Sequence, residues 1–243
     1  GLSPVDEVSE SMDAGMLGEV LHGTMQALYC GEEAMKGDFP GDKRSSEREF
    51  RPMPVVSSDY IRSWLAREDE IRSKVHRLIA RQMRSVEVRG RDLVTADIIV
   101  RMVKKILEED LRVIRTHGEM HILGLELREE VEIAGHKFTG IIDRLDSFPD
   151  GTVRVVDYKT GGDSPDVLGP ELDVSLVFSE KDGHRNKAAL QFYIYDRMVE
   201  KKHGTGVLNA MYAMSDIFRN PVPEYPQNPL CNSLFEENIG KLF

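Results

Sequence analysis

The chain has 243 residues, 40% of them hydrophobic, so it can bury a sizeable core without cross-links; its formal net charge is −10. Its two cysteines, Cys30 and Cys231, lack a C-x-x-C spacing, which argues against a disulfide framework or a zinc site and for a reducing compartment. No apolar run reaches the ~18 residues of a membrane-spanning helix and no signal peptide is visible, so a cytoplasmic protein without membrane association is expected.

The first predicted helix runs from about Asp13 to Glu33, with Leu17, Val20, Leu21, Thr24, Met25 and Leu28 as its apolar stripe. His22 lies beside that stripe, where a satisfied or surface histidine is the ordinary reading. Gly15 and Gly18 would let the helix lie close against a sheet. The polar stretch from Gly37 to Glu49 reads as a mobile loop. Two helical segments follow. One is capped by Ser58 or Asp59 and carries Ile61, Trp64, Leu65, Ile71, Val75, Leu78 and Ile79. The next is capped by Thr95 or Asp97 and carries Ile98, Met102, Ile106 and Leu107. Arg77, Arg81, Arg84, Arg89, Arg91, Arg101, Lys104 and Lys105 make this middle region locally basic within an acidic chain.

The acidic run Glu126, Glu129, Glu130 and Glu132 reads as an edge strand, either a charged edge that blocks strand-to-strand association or an acidic approach to the hairpin; which one points inward stays open, with Glu126 best fitting the position before an extended strand. Two strands then span Lys137 to Ser147 and Thr152 to Lys159, joined at Pro149-Asp150-Gly151, which favours a tight reversal. Alternation puts Val153, Val155, Asp157 and Lys159 on one face and Arg154, Val156 and Tyr158 on the other, and pairing of the strands can bring Asp143 beside Asp157. Arg144 and Asp146 read as a solvated strand face. A helix from Asn186 or Lys187 carries Gln191, Ile194, Tyr195 and Met198 on one face, and Gly206 to Met214 reads as a further strand. The order of elements predicts an α/β sandwich around a mixed sheet, with no internal repeat.

Asp143, Asp157 and Lys159 suit metal-assisted hydrolysis of a phosphodiester. Carboxylates hold Mg²⁺ or Mn²⁺, the metal acidifies a water, and a nearby lysine stabilises charge on phosphate oxygens. The plain alternative for Asp157 and Lys159 is an exposed salt bridge worth ~0.2–1 kcal/mol. Gly18 to His22, Gly140-Ile-Ile-Asp143-Arg-Leu-Asp146, Asp157-Tyr-Lys159-Thr-Gly161 and Gln191 to Tyr195 stand in one order along the chain. Together they resemble the blocks of the PD-(D/E)XK nucleases, specifically the RecB-like exonuclease branch that includes the nuclease domain of AddB. Ile142 stands where the family name suggests proline, a substitution ordinary in that branch.

The resemblance implies a restriction-endonuclease-like α/β (α+β) core, a mixed sheet flanked by helices, with a helical insertion between the first helix and the sheet. Residues 1–243 would form one nuclease domain: 13–120 mainly helical, 121–215 the catalytic sheet and helix, and 216–243 an irregular tail. His22, Asp143 and Asp157 would be metal ligands, Glu126 a possible additional acid, and Lys159 the group at the attacking water. Gln191 and Tyr195 would steady the lysine, the backbone or the DNA strand. Arg81 and Arg84 lie in the candidate DNA track. The flanking cysteines that hold an iron–sulfur cluster in AddB-like relatives are absent, so no such cluster is expected and a fragment of a larger helicase-nuclease subunit is favoured. The resemblance implies a helicase partner feeding in unwound DNA, and since no Walker motif occurs here, the ATP chemistry would lie in that partner or elsewhere. The reading from another class is a catalytically silent DNA-binding or scaffolding module; a third is a relative acting in phage recombination or on RNA.

Overall fold

The computed structural model describes residues 13–30, 55–162, 164–169, 186–204 and 206–226, with residues 177, 234, 237 and 238. The Gly37–Glu49 loop and Cys231 lie outside these described residues. Helix α1 (Ala14–Cys30) starts where the Asp13 carboxylate accepts a hydrogen bond from Met16 N at 2.8 Å, a side-chain cap on an otherwise orphaned donor.

The segment predicted as one helix after residue 57 is two, α2 (Ser58–Leu65) and α3 (Glu68–Gln82). Arg67 leaves helical geometry between them, and Glu68, Asp69 and Glu70 restart the helix with negative charge at its positive end. The cap of α2 is Ser57, whose side chain accepts from Tyr60 N, rather than Ser58 or Asp59. Helix α4 (Arg91–His117) likewise starts at Gly90, before the expected Thr95 or Asp97. The positive φ of Gly90, +59°, turns the chain into the helix one turn earlier than any polar cap.

Among the described residues, six strands follow or flank these helices: β1 (Val55–Val56), β2 (Met120–Ile133), β3 (His136–Ser147), β4 (Val153–Lys159), β5 (Val207–Ala213) and β6 (Tyr225–Pro226). They form one mixed sheet in that order, antiparallel except for β4 and β5, which run parallel and are joined through helix α5 (Lys187–His203). This is the α/β architecture predicted from the order of elements. Helices α1 to α4 bury one face of the sheet around Val156, Tyr158 and Tyr212; α5 buries the other around Val155, Met211 and Phe192. The hairpin of β2 and β3 turns at Ala134 and Gly135, with φ of +50° and +79°, which fits a two-residue hairpin turn.

Because β4 is central and covered on both faces, the expectation of a solvated face at Arg144 and Asp146 fails. Both residues are fully buried, as is Arg154. Asp110, on the apolar side of α4, accepts from Arg144 Nη1 at 2.8 Å and Nη2 at 2.7 Å, while Arg154 Nη2 reaches Asp146 Oδ2 at 2.6 Å. The hydroxyls of Tyr29 and Tyr212 also donate to Asp110. Opposite charges and hydroxyl donors thereby replace the water these groups lost.

The start of the tail expected to be irregular is also tied down. Glu109 accepts from Val222 N at 3.2 Å, Arg112 donates to Val222 O at 2.7 Å, and Glu224 meets both Arg154 and His117 at 2.8 Å.

Candidate metal centre and active site

Two interruptions in strand alternation build the site. Along β2, Leu125 packs with the α1–α4 core but Leu127 with the α5 core; along β3, Ile142 and Leu145 both join the α5 core. Regular alternation would keep each such pair apart or together in the opposite sense. The changes coincide at Glu126 and Asp143, the pair falling between Leu125↔Arg144 and Leu127↔Ile142 in the ladder. Glu126 has φ +48°, an uncommon backbone for a residue with a side chain, and it aims the carboxylate at α1 instead of at solvent.

His22 meets these acids from α1. Its Nδ1 lies 3.2 Å from Glu126 Oε1 and 3.6 Å from Asp143 Oδ1. Its Nε2 lies 3.3 Å from the carbonyl oxygen of Tyr158. A proton on Nε2 donated to that carbonyl leaves Nδ1 to face the two carboxylates. One turn earlier, Gly18 is where a Cβ would stand 3.4 Å from Thr160 Oγ1, whereas at Gly15 it would meet Asp13. Close approach to the sheet therefore rests on Gly18.

The main chain of Tyr158 serves both His22 and Asp143, since its N–H donates to Asp143 Oδ2 at 2.7 Å. Nothing in the tyrosine side chain announces that role in the sequence. On the α5 side, Lys159 Nζ lies 2.8 Å from Asp157 Oδ2 and donates to Gln191 Oε1 at 2.9 Å. Gln191 Nε2 donates to Asp157 Oδ1 at 3.2 Å and to the Tyr195 oxygen at 2.7 Å, and Tyr195 OH donates to Ile141 O at 2.5 Å. The glutamine thus ties lysine and aspartate on β4, through Tyr195, to β3. Gly140 makes room for this contact, because a Cβ there would lie 2.9 Å from Tyr195 Cε1.

Burial and the charge of Asp157 push the Asp143 carboxyl up to about 7. Burial opposes charge on His22, but the Glu126 hydrogen bond and the Asp143 and Glu126 charges outweigh it and raise His22 to about 9. A proton on Nδ1 then stands where a cation would be welcome. Ligand atoms of His22, Glu126 and Asp143 lie within 4.8 Å of one another, so the cluster fits one divalent ion through one nitrogen and two carboxylate oxygens. Asp157 borders this set and is engaged with Lys159 and Gln191. The remaining acids of β2 turn away: Glu129 meets Lys202 at 2.5 Å and Glu130 meets Lys137 at 2.7 Å.

Arg81 and Arg84 are exposed at the end of α3. Gln82, between them, donates to Glu19 at 2.7 Å, which places that end against the turn of α1 preceding His22. Within the basic region Lys104 pairs with Glu68, Lys105 with Glu108 and Arg89 with Glu87. Among the described residues, no helix is long and apolar enough to cross a membrane.

The family model described as the PD-(D/E)XK nuclease superfamily matches residues 1–216 of this chain. No curated protein matches it.

Proposed function

The chain belongs to the PD-(D/E)XK nuclease superfamily, and from that premise we propose that it is a Mg²⁺- or Mn²⁺-dependent deoxyribonuclease of the RecB/AddB exonuclease type, working with a helicase in double-strand break repair and recombination. The observation that carries this reading is the junction of two groups of side chains: His22, Glu126 and Asp143 on one side, and Asp157, Lys159 and Gln191 on the other.

A cation bound there would acidify a water and screen the scissile phosphate. His22, Glu126 and Asp143 would hold it, with Asp157 at its border. Lys159, oriented by Gln191, presents a fixed ammonium group to oxygens on which negative charge develops. Tyr195 keeps that lysine in register with the strand bearing Asp143. Arg81 and Arg84 supply a route for the DNA backbone toward the site, and such contacts weaken as salt rises.

The deciding experiment is degradation of end-labelled single-stranded DNA with Mg²⁺, Mn²⁺ or EDTA. Cleavage is expected with either metal, none in EDTA, and a loss of about 10²–10³-fold in Lys159→Ala. Full activity in the variant would exclude this mechanism. Metal binding and DNA binding without cleavage by the wild type would instead support a catalytically silent module.

A further inference from the structure

We propose that the buried hydroxyl of Tyr29, through Asp110 and Arg144, positions His22 against Asp143 and so sets the affinity of the metal centre; this rests on the metal-site reading above. Tyr29 lies two turns beyond His22 on the same side of α1. Its hydroxyl donates to Asp110, which is clasped by both terminal nitrogens of Arg144. Arg144 is the neighbour of Asp143 on β3, so fixing its side chain fixes the stretch of strand that carries the candidate ligand.

The same guanidinium reaches β4. Arg144 Nη1 donates to the Tyr158 hydroxyl at 2.8 Å, and Tyr158 holds Asp143 through its N–H and His22 through its carbonyl. The helix delivering His22 and both strands around Asp143 are therefore fastened to one pair of charges. Tyr29, Arg144 and Asp110 are fully buried, so this fastening is shielded from water. Partners that fix a ligand's orientation in this way commonly govern metal affinity.

Tyr212 provides an internal comparison. Its hydroxyl donates to the other oxygen of the same Asp110 carboxylate at 2.7 Å, but it stands on β5, which carries none of the candidate ligands. Tyr29→Phe and Tyr212→Phe each remove one buried hydroxyl from one carboxylate. Only the first loosens α1.

The test is Mn²⁺ titration of the 243-residue chain, followed by electron paramagnetic resonance of free Mn²⁺, with urea unfolding of each variant as a control. Tyr29→Phe is expected to raise the Mn²⁺ dissociation constant about ten-fold, and Tyr212→Phe to leave it within about two-fold, although both lower the unfolding midpoint. If Tyr29→Phe is too unstable to titrate, Tyr158→Phe carries the same expectation, because it cuts the link from Arg144 to β4 and keeps the main-chain contacts. Equal affinities in the Tyr29 and Tyr212 variants would overturn the positioning role while leaving the metal site intact. A wild type that takes up no Mn²⁺ would remove the metal-site reading itself, and the proposal with it.

Discussion

Asp143 and Arg144 are adjacent on β3, yet they belong to opposite electrostatic regimes. Around Arg144, burial pushes the Asp110 carboxyl up, but the Arg144 and Arg154 guanidiniums outweigh it and hold that group below the usual carboxylate range. Around Asp143, burial and the neighbouring Asp157 charge act together, and the group rises to about 7. The first cluster is complete within the protein. The second has more negative charge than its own cations settle, and that surplus is what a metal or a proton can occupy.

The contrast is open to direct attack. Arg144→Met should cost the most, roughly 3–5 kcal/mol, because it leaves Asp110 and Asp146 buried beside one remaining arginine; a urea midpoint near wild type would mean that the buried cluster is not what holds the sheet. Lys159→Ala should show the reverse pattern. Cleavage falls by the margin given above, while stability falls by only about 1–3 kcal/mol, because Asp157 is left buried with Gln191 as a remaining partner. Gly140→Ala should cost about 1–3 kcal/mol by driving a methyl into the Tyr195 ring.

Asp143→Asn tests the surplus charge itself. In the folded protein the carboxyl takes its proton at about 7, above its unfolded value. The wild type therefore loses stability as pH rises toward 7, and the full penalty is present above it. The variant, without that proton, should melt at or above the wild-type temperature at pH 8 in EDTA and should lose any stabilisation by Mn²⁺. In the wild type, Mn²⁺ affinity should rise with pH through 7 to 9, as Asp143 and then His22 give up their protons. The smallest effect on the protein is expected from Arg81→Glu with Arg84→Glu: unfolding unchanged, DNA binding weakened at low salt and the difference shrinking as salt is raised. Equal DNA affinity in calorimetry at low salt would discard the track.

The hairpin, the shared face of Asp157 and Lys159, and the helix face carrying Gln191 and Tyr195 were legible because each depends on spacing within a single element or across one tight turn. Arg144 and Asp146 were misread because their surroundings come from α1, α4 and β5, far away in sequence. A usable signal existed: Arg154 shares its face with Val156 and Tyr158, and Asp110 sits among Ile106, Leu107, Val113 and Ile114. Charged residues in such company point to a buried pair. Spacing does not single out Glu126 from its acidic neighbours, because a left-handed backbone, not alternation, turns it inward. The starts of α2 and α4 were misplaced for a local reason, since Ser57 and the turn at Gly90 precede the polar residues that looked like caps.

Strand β3 pairs with β4 only from Arg144 to Ser147, whereas its pairing with β2 continues outward to Ile133↔His136. The candidate metal ligands Glu126 and Asp143 stand at the root of that overhanging ribbon, and the Ala134–Gly135 turn is its free tip. Counted from the root, residues added in pairs at the tip lengthen the ribbon and leave Glu126 opposite Asp143. At Pro149-Asp150-Gly151 an added residue must be absorbed within the turn, because a one-residue slip of β4 against β3 would exchange the faces of every side chain on it. The two ends of β3 therefore differ in how they accept changes of chain length: the tip can take a graft, and the turn leading to Asp157 and Lys159 can take only what leaves the β3–β4 register in place.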